Sequence, residues 1–192
     1  PLGGMGAGTI ELWPDGKLHD WRISGNWDLA QEPEFSCFAI RTEKGRSRKT
    51  RILQKAPLAG RRGTKEITYE GRFPFVFLDY GSDNQPVAVK ARVFSPFIPH
   101  NAEDSCLPLA CFTFTLTNTS DDEVKASVLF AVGASPILEK GTGEFETGKR
   151  FSTATLTSGG DAIAISSSTG NVSSASGWTK ELLPPNFEDS GN

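Results

Sequence analysis

The chain has 192 residues, 37% of them hydrophobic and 22% charged, with a formal net charge of −3. That length is enough for one well-buried β domain, and a weakly acidic body attracts neither nucleic acid nor an anionic membrane surface. No apolar run approaches the ~20 residues needed to cross a bilayer, so neither a nucleic-acid partner nor a membrane span is expected.

Gly3, Gly4, Gly6 and Gly8 open the chain. They precede a strand, whereas a dinucleotide fingerprint follows a strand and opens a helix, so a phosphate cradle is the poorer reading. Close backbone approach, with small residues letting another surface press against the chain, is the better one. Thr9–Trp13 and Lys17–Ile23 flank Pro14-Asp15-Gly16 and read as a hairpin. Ser36–Thr42 and Lys49–Leu53 are further strands, with Glu43-Lys44-Gly45 as their turn. Arg46 to Arg62 is basic, a solvated face without the aromatic interleaving of a single-strand binder. Phe73–Tyr80 is a strand with Pro74 marking an edge or its start.

Val87, Val89, Ala91 and Val93 alternate with Ala88, Lys90, Arg92 and Phe94, and Phe112, Phe114 and Leu116 alternate with threonines and Cys111. Period two means one buried face and one wet face on each run. Between them Pro96, Pro99 and Pro108 forbid a continuous ladder, so a stiff excursion, read as neither strand nor helix, carries His100, Glu103 and Asp104. Asn118–Glu123 reads as the turn of a meander hairpin between Leu109–Thr117 and Val124–Val132, and Phe151–Leu156 with Ala162–Ser166 as a last hairpin around Gly159-Gly160-Asp161. From Ser167 the chain becomes rich in Ser, Gly and Asn before Pro184-Pro185, a linker composition. The expected organisation is a two-layer antiparallel β-sandwich over residues 1–166, without substantial helix, and a linker over 167–192.

Cys37, Cys106 and Cys111 are odd in number and lack metal-site spacing. They predict unpaired thiols in a reducing compartment, hence a cytoplasmic protein. The chain opens at Pro1 without an initiator Met, and its true start is expected upstream.

His19-Asp20 and His100…Glu103-Asp104 are the clusters with acid–base or metal composition, and nothing in the spacing brings them together. No metal, cofactor or catalytic residue is therefore assigned. The acids Asp15, Asp83, Asp121, Asp122, Glu123 and Asp161 sit in turns, where carboxylates face water and cap the backbone. Trp13 and Trp21 read as core or edge packing, Trp21 sharing a face with His19 and Ile23, and Trp178 lies in the tail. Trp27, after Ser24-Gly25-Asn26, is the exposed candidate for a sugar or a partner.

The wording FSPFIPHNAEDSCLPLACFTFTLTN, the opening PLGGMGAGTIELWPDGKLHDWRISGNW and the intervening YEGRFPFVFLDY resemble the amino-terminal domain of glycoside hydrolase family 116. That family holds the non-lysosomal glucosylceramidases (bile-acid β-glucosidases) and their bacterial and archaeal β-glucosidase relatives. The resemblance runs from Pro1 to about Val132. It implies a supersandwich-like β domain followed by an (α/α)6 barrel that carries a glutamate nucleophile and an aspartate acid/base and hydrolyses β-glucosides with retention. No catalytic position of that barrel can be placed in this chain. The implied partner is the catalytic domain of the same polypeptide, with carbohydrate as a further candidate. Gly4, Gly6, Trp27, His100 and Asp104 are the residues expected to face the barrel or a sugar. The alternative from a different class is a stand-alone carbohydrate-binding or structural sandwich; it needs an exposed aromatic platform, and the buried-looking pattern of Trp13 and Trp21 argues against one.

Overall fold

The computed structural model describes residues 1–23, 30–133, 141–158, 161–168 and 172–175. Trp27, Trp178, the Gly159-Gly160 turn and most of the expected linker lie outside the described residues. The strands are β1 (Thr9–Leu12), β2 (Leu18–Arg22), β3 (Ser36–Lys44), β4 (Ser47–Ile52), β5 (Thr68–Arg72), β6 (Phe75–Gly81), β7 (Val87–Phe94), β8 (Cys111–Asn118), β9 (Lys125–Val132), β10 (Thr142–Thr147), β11 (Ser152–Ser158) and β12 (Asp161–Ser167), with one helical turn, α1 (Ala102–Ser105), between β7 and β8. All the strand pairings are antiparallel. Hydrogen bonding divides the strands into sheets β1-β2, β4-β3-β9, β5-β6-β7-β8 and β10-β11-β12. The chain is the all-β sandwich expected, and among the described residues no helix is long and apolar enough to cross a membrane.

The two central sheets stack on one apolar layer. Alternation in β7 places Val87, Val89, Ala91 and Val93 inside, none more than 4% exposed. Ile40 from β3 and Leu78 and Tyr80 from β6 join the same cluster. Phe38 of β3 meets Phe112 and Phe114 of β8 and Phe130 of β9 at ring separations of 4.7, 5.0 and 4.5 Å. Burying aromatics in offset pairs adds dispersion to the transfer of apolar area from water. A smaller cluster of Phe35, Cys37, Ala39, Ile52 and Ala131 covers the other face of β3. Burial pushes the Cys37 thiol up to about 12, so it packs as an inert apolar group.

Several readings change. The hairpin joining β8 to β9 does not form: β9 pairs along its whole length with β3, from Ser36↔Val132 to Glu43↔Lys125, so Asn118–Glu123 carries the chain from one layer to the other. β3 is apolar on both faces and needs a neighbour on each edge. β9 suits it, because Leu129 and Ala131 serve one cluster and Phe130 and Val132 the other. The β3–β4 turn sits one residue later than expected, Lys44 pairing with Ser47 around Gly45 at φ 60°. β5 and β10 were not expected; their sequences TYEGR and TGEFET are polar and largely exposed. Arg51, placed in the basic solvated face, is instead buried at 3%. Its guanidinium donates to the carbonyls of Tyr80 (2.8 Å) and Gly81 (3.0 Å), tying β4 to the end of β6.

In the β1–β2 hairpin Glu11 faces His19 and Leu12 faces Leu18, but Thr9 faces Arg22, so one extra residue is inserted in β2. Asp20 absorbs it at φ 45°. Such a bulge interrupts the alternation, and Trp21 therefore turns inward with Leu18, at 2% exposed, while His19 stays on the outer face.

Candidate interaction surface

The excursion between β7 and β8 is held rigid by its own bonds. Asn101 N–H donates to the Ile98 carbonyl at 3.0 Å across Pro99 and His100. Proline at the second position and His100 at φ 64° at the third are the pattern of a type II turn. Asn101 then caps α1, its side chain accepting from the Asp104 N–H at 3.1 Å and donating to the Asp104 carboxylate at 2.7 Å. The Ser105 hydroxyl, 1% exposed, accepts from the Ile98 N–H at 2.9 Å and lies 2.6 Å from the Asn101 carbonyl. The expectation of no helix here is thus corrected by a single capped turn.

The glycine-rich opening folds onto this loop. Leu2 pairs with Ile10, and Ala7 N–H donates to the Gly4 carbonyl, so Gly3–Gly8 is a looped segment rather than an extended strand. Gly3 N–H donates to the Ser95 hydroxyl at 2.7 Å and Met5 N–H to the Ser105 carbonyl at 2.9 Å. A Cβ on Gly4 would sit 2.3 Å from the Cys106 carbonyl oxygen, closer than any real contact. The surface pressing on Gly4 is therefore the domain's own loop. Gly6 is the opposite case, at φ +74° with nothing within 4 Å of a Cβ.

The structure thus brings together segments separated by about ninety residues, and they share an exposed apolar surface. Met5 (50% exposed), Phe97 (43%), Ile98 (46%) and Leu107 (42%) lie on the two loops. Phe73, 81% exposed, meets Phe97 edge-on at 5.0 Å. Beside them Leu2, Ile10, Ile23 and Pro108 line a shallow apolar pocket of about 70 Å³. His100 and Asp104 are exposed on the same loop, Asp104 being engaged in the cap. Among the described residues no group of three His, Cys, Asp or Glu is placed to hold a metal ion.

A second cluster lies on the outer face of the β1–β2 hairpin. His19 has Asp15 Oδ2 3.0 Å from Nε2 and Glu32 Oε1 2.9 Å from Nδ1. Lys17 Nζ is 2.5 Å from Glu32 Oε2. The hydrogen bond from the Lys17 ammonium, opposed by burial and seconded by His19, holds the Glu32 carboxyl below its ordinary value. Trp13 stacks on the His19 ring at 4.1 Å and 26°, and donates Nε1–H to Glu11 Oε2 at 2.9 Å. Trp13 is 43% exposed, against its expected burial. Sequence reasoning paired His19 with Asp20, whose carboxylate instead lies 3.8 Å from Arg22. Asp15 and His19 straddle a tight turn, a signal that was readable; Glu32 arrives only because Gln31 bridges to Trp21.

With both surfaces described, residues 1–170 match the family model described as beta-glucosidase 2, glycosyl-hydrolase family 116 N-term.

Proposed function

We propose that this chain, which belongs to the amino-terminal domain family of glycosyl-hydrolase family 116, is a non-catalytic sandwich that buttresses the catalytic domain of a β-glucosidase polypeptide and shapes the rim of its cleft. Family membership supports a catalytic domain in the same polypeptide. The observation that carries the docking site is the apolar surface of Met5, Phe73, Phe97, Ile98 and Leu107. A rigid, bond-locked loop that holds large apolar groups in water is suited to burial against a partner. The two loops support each other through backbone bonds, so the surface is formed before docking and little ordering entropy opposes association.

The test places Met5→Glu and Leu107→Glu in this chain and in the polypeptide that carries the catalytic domain. In the chain alone both side chains are exposed, and unfolding free energy should change by no more than about 0.5 kcal/mol. In the longer polypeptide the pair should lower thermal stability and turnover of an aryl β-glucoside together. Unchanged stability and turnover there would overturn the docking site, and turnover by the pure 192-residue chain, abolished by one carboxylate substitution, would overturn the non-catalytic role. We also propose a cytoplasmic, reducing location, supported by the unpaired thiols of buried Cys37 and exposed Cys106. Protein taken from its native source should titrate three free thiols, the number of cysteines in the sequence, and a disulfide would contradict this.

A further inference from the structure

We infer that the outer face of the β1–β2 hairpin is a carbohydrate-binding subsite in which Trp13 stacks on the apolar face of a neutral pyranose. This goes beyond the buttressing role and needs no catalytic domain, so it stands or falls separately.

Strand alternation places Glu11 and Trp13 on one strand and Lys17 and His19 on the other on a common outward face, with Leu12 and Leu18 buried beneath. An exposed tryptophan is usually mobile, but this one is fixed twice. His19 covers one ring face at 4.1 Å, and Glu11 holds the indole N–H at 2.9 Å. His19 is itself clamped between Asp15 and Glu32. The 43% of Trp13 that remains exposed is therefore a flat aromatic surface in a set orientation, and preorganisation of this kind reduces the ordering cost of binding. The turn behind it is anchored too: Lys55 N–H donates to the Asp15 carbonyl at 2.8 Å.

The rim selects the ligand class. Glu11 lies at the edge of the ring, and Asp15 and Glu32 flank the His19 that backs it; their carboxylate oxygens keep further lone pairs to accept from a hydroxyl. The Lys17 ammonium keeps protons to donate beyond the one shared with Glu32. Three carboxylates outnumber the two full cations beside them, Lys17 and the Arg22 guanidinium 3.6 Å from Glu11 Oε1, which disfavours phosphate, sulfate and uronate ligands. A cage for a quaternary ammonium needs several aromatic walls, and here the second ring, His19, already lies against the first. A neutral polyol with one apolar face matches both the ring and its rim.

Cellobiose is the probe. Titrated into the 192-residue chain, it should shift the Trp13 indole ¹⁵N–H resonance saturably, with a dissociation constant on the order of millimolar, while the buried Trp21 indole stays still. Trp13→Ala should weaken binding at least about tenfold, the equivalent of one lost aromatic stack. Trp13→Phe, which keeps a ring in place, should weaken it only about threefold and guards against loss of fold in the alanine variant. A Trp13 resonance unmoved at about a hundred times the millimolar constant, or equal affinity in wild type and Trp13→Ala, would overturn the subsite.

Discussion

The two exposed regions of this domain are built on opposite principles. The loop surface around Met5 and Leu107 is apolar outside and locked inside by backbone and hydroxyl bonds through Ser95, Asn101 and Ser105. The hairpin face around Trp13 is apolar inside, on Leu12 and Leu18, and locked outside by charged side chains. The first has polar needs met internally and apolar area left over, which suits permanent burial against protein. The second keeps polar groups in water around one ring, which suits a reversible, solvated ligand. An exposed aromatic thus means different things according to what fixes it.

Substitutions can break this contrast, beginning with the largest effect. Gly4→Ala should cost about 3 kcal/mol in urea unfolding, because the new Cβ meets main-chain oxygens of Cys106 and Leu107 that cannot swing aside. Ser105→Ala leaves the Ile98 N–H without its acceptor and should cost about 2 kcal/mol. Gly6→Ala meets open space and pays only for its left-handed φ, about 1 kcal/mol. Were Gly4→Ala and Gly6→Ala to cost the same, the close packing of the opening segment on the loop would be wrong.

The smallest effect belongs to the hairpin. Glu32 is held below its ordinary value of 4.5, so the fold favours its charged form. Stability from a depressed carboxyl is present above the unfolded value and is lost as pH falls through the folded one. The loss should therefore begin near pH 4.5 and continue downward. Glu32 is 41% exposed and its partner Lys17 27%, so solvent screening limits the whole effect to about 0.5 kcal/mol. Comparing unfolding of wild type and Glu32→Gln at pH 6 and pH 3 reads it: the gap should narrow in acid and in high salt.

Much of the sandwich was legible. β7 follows its alternation strictly, with four inward residues at 4% exposed or less, the β1–β2 hairpin follows its turn residues, and β11 pairs with β12 as expected. Alternation, however, says which face a residue takes and not which strand lies beside it. A six-residue polar turn serves a hairpin or a crossing between layers equally well, and β9 was assigned to the wrong neighbour for that reason. A bulge is equally silent: the positive φ of Asp20 separates His19 from Trp21 without any glycine to announce it. At the candidate sites, the excursion was readable from its prolines, and the glycines from their spacing. Their meeting was not, because it depends on a contact between residues about a hundred positions apart. Glu32 was invisible because an isolated bridge between Gln31 and Trp21, outside any strand pattern, is what carries it to His19.

Amide hydrogen exchange, recorded on this chain and on the polypeptide that includes the catalytic domain, tests the buttressing role most directly. Exchange should slow on joining in Gly3–Gly8 and in the 95–108 loop, while the Trp13–Lys17 turn keeps its rate. Slowing at the hairpin turn with the two loops unchanged would place the catalytic domain on the other face and contradict it.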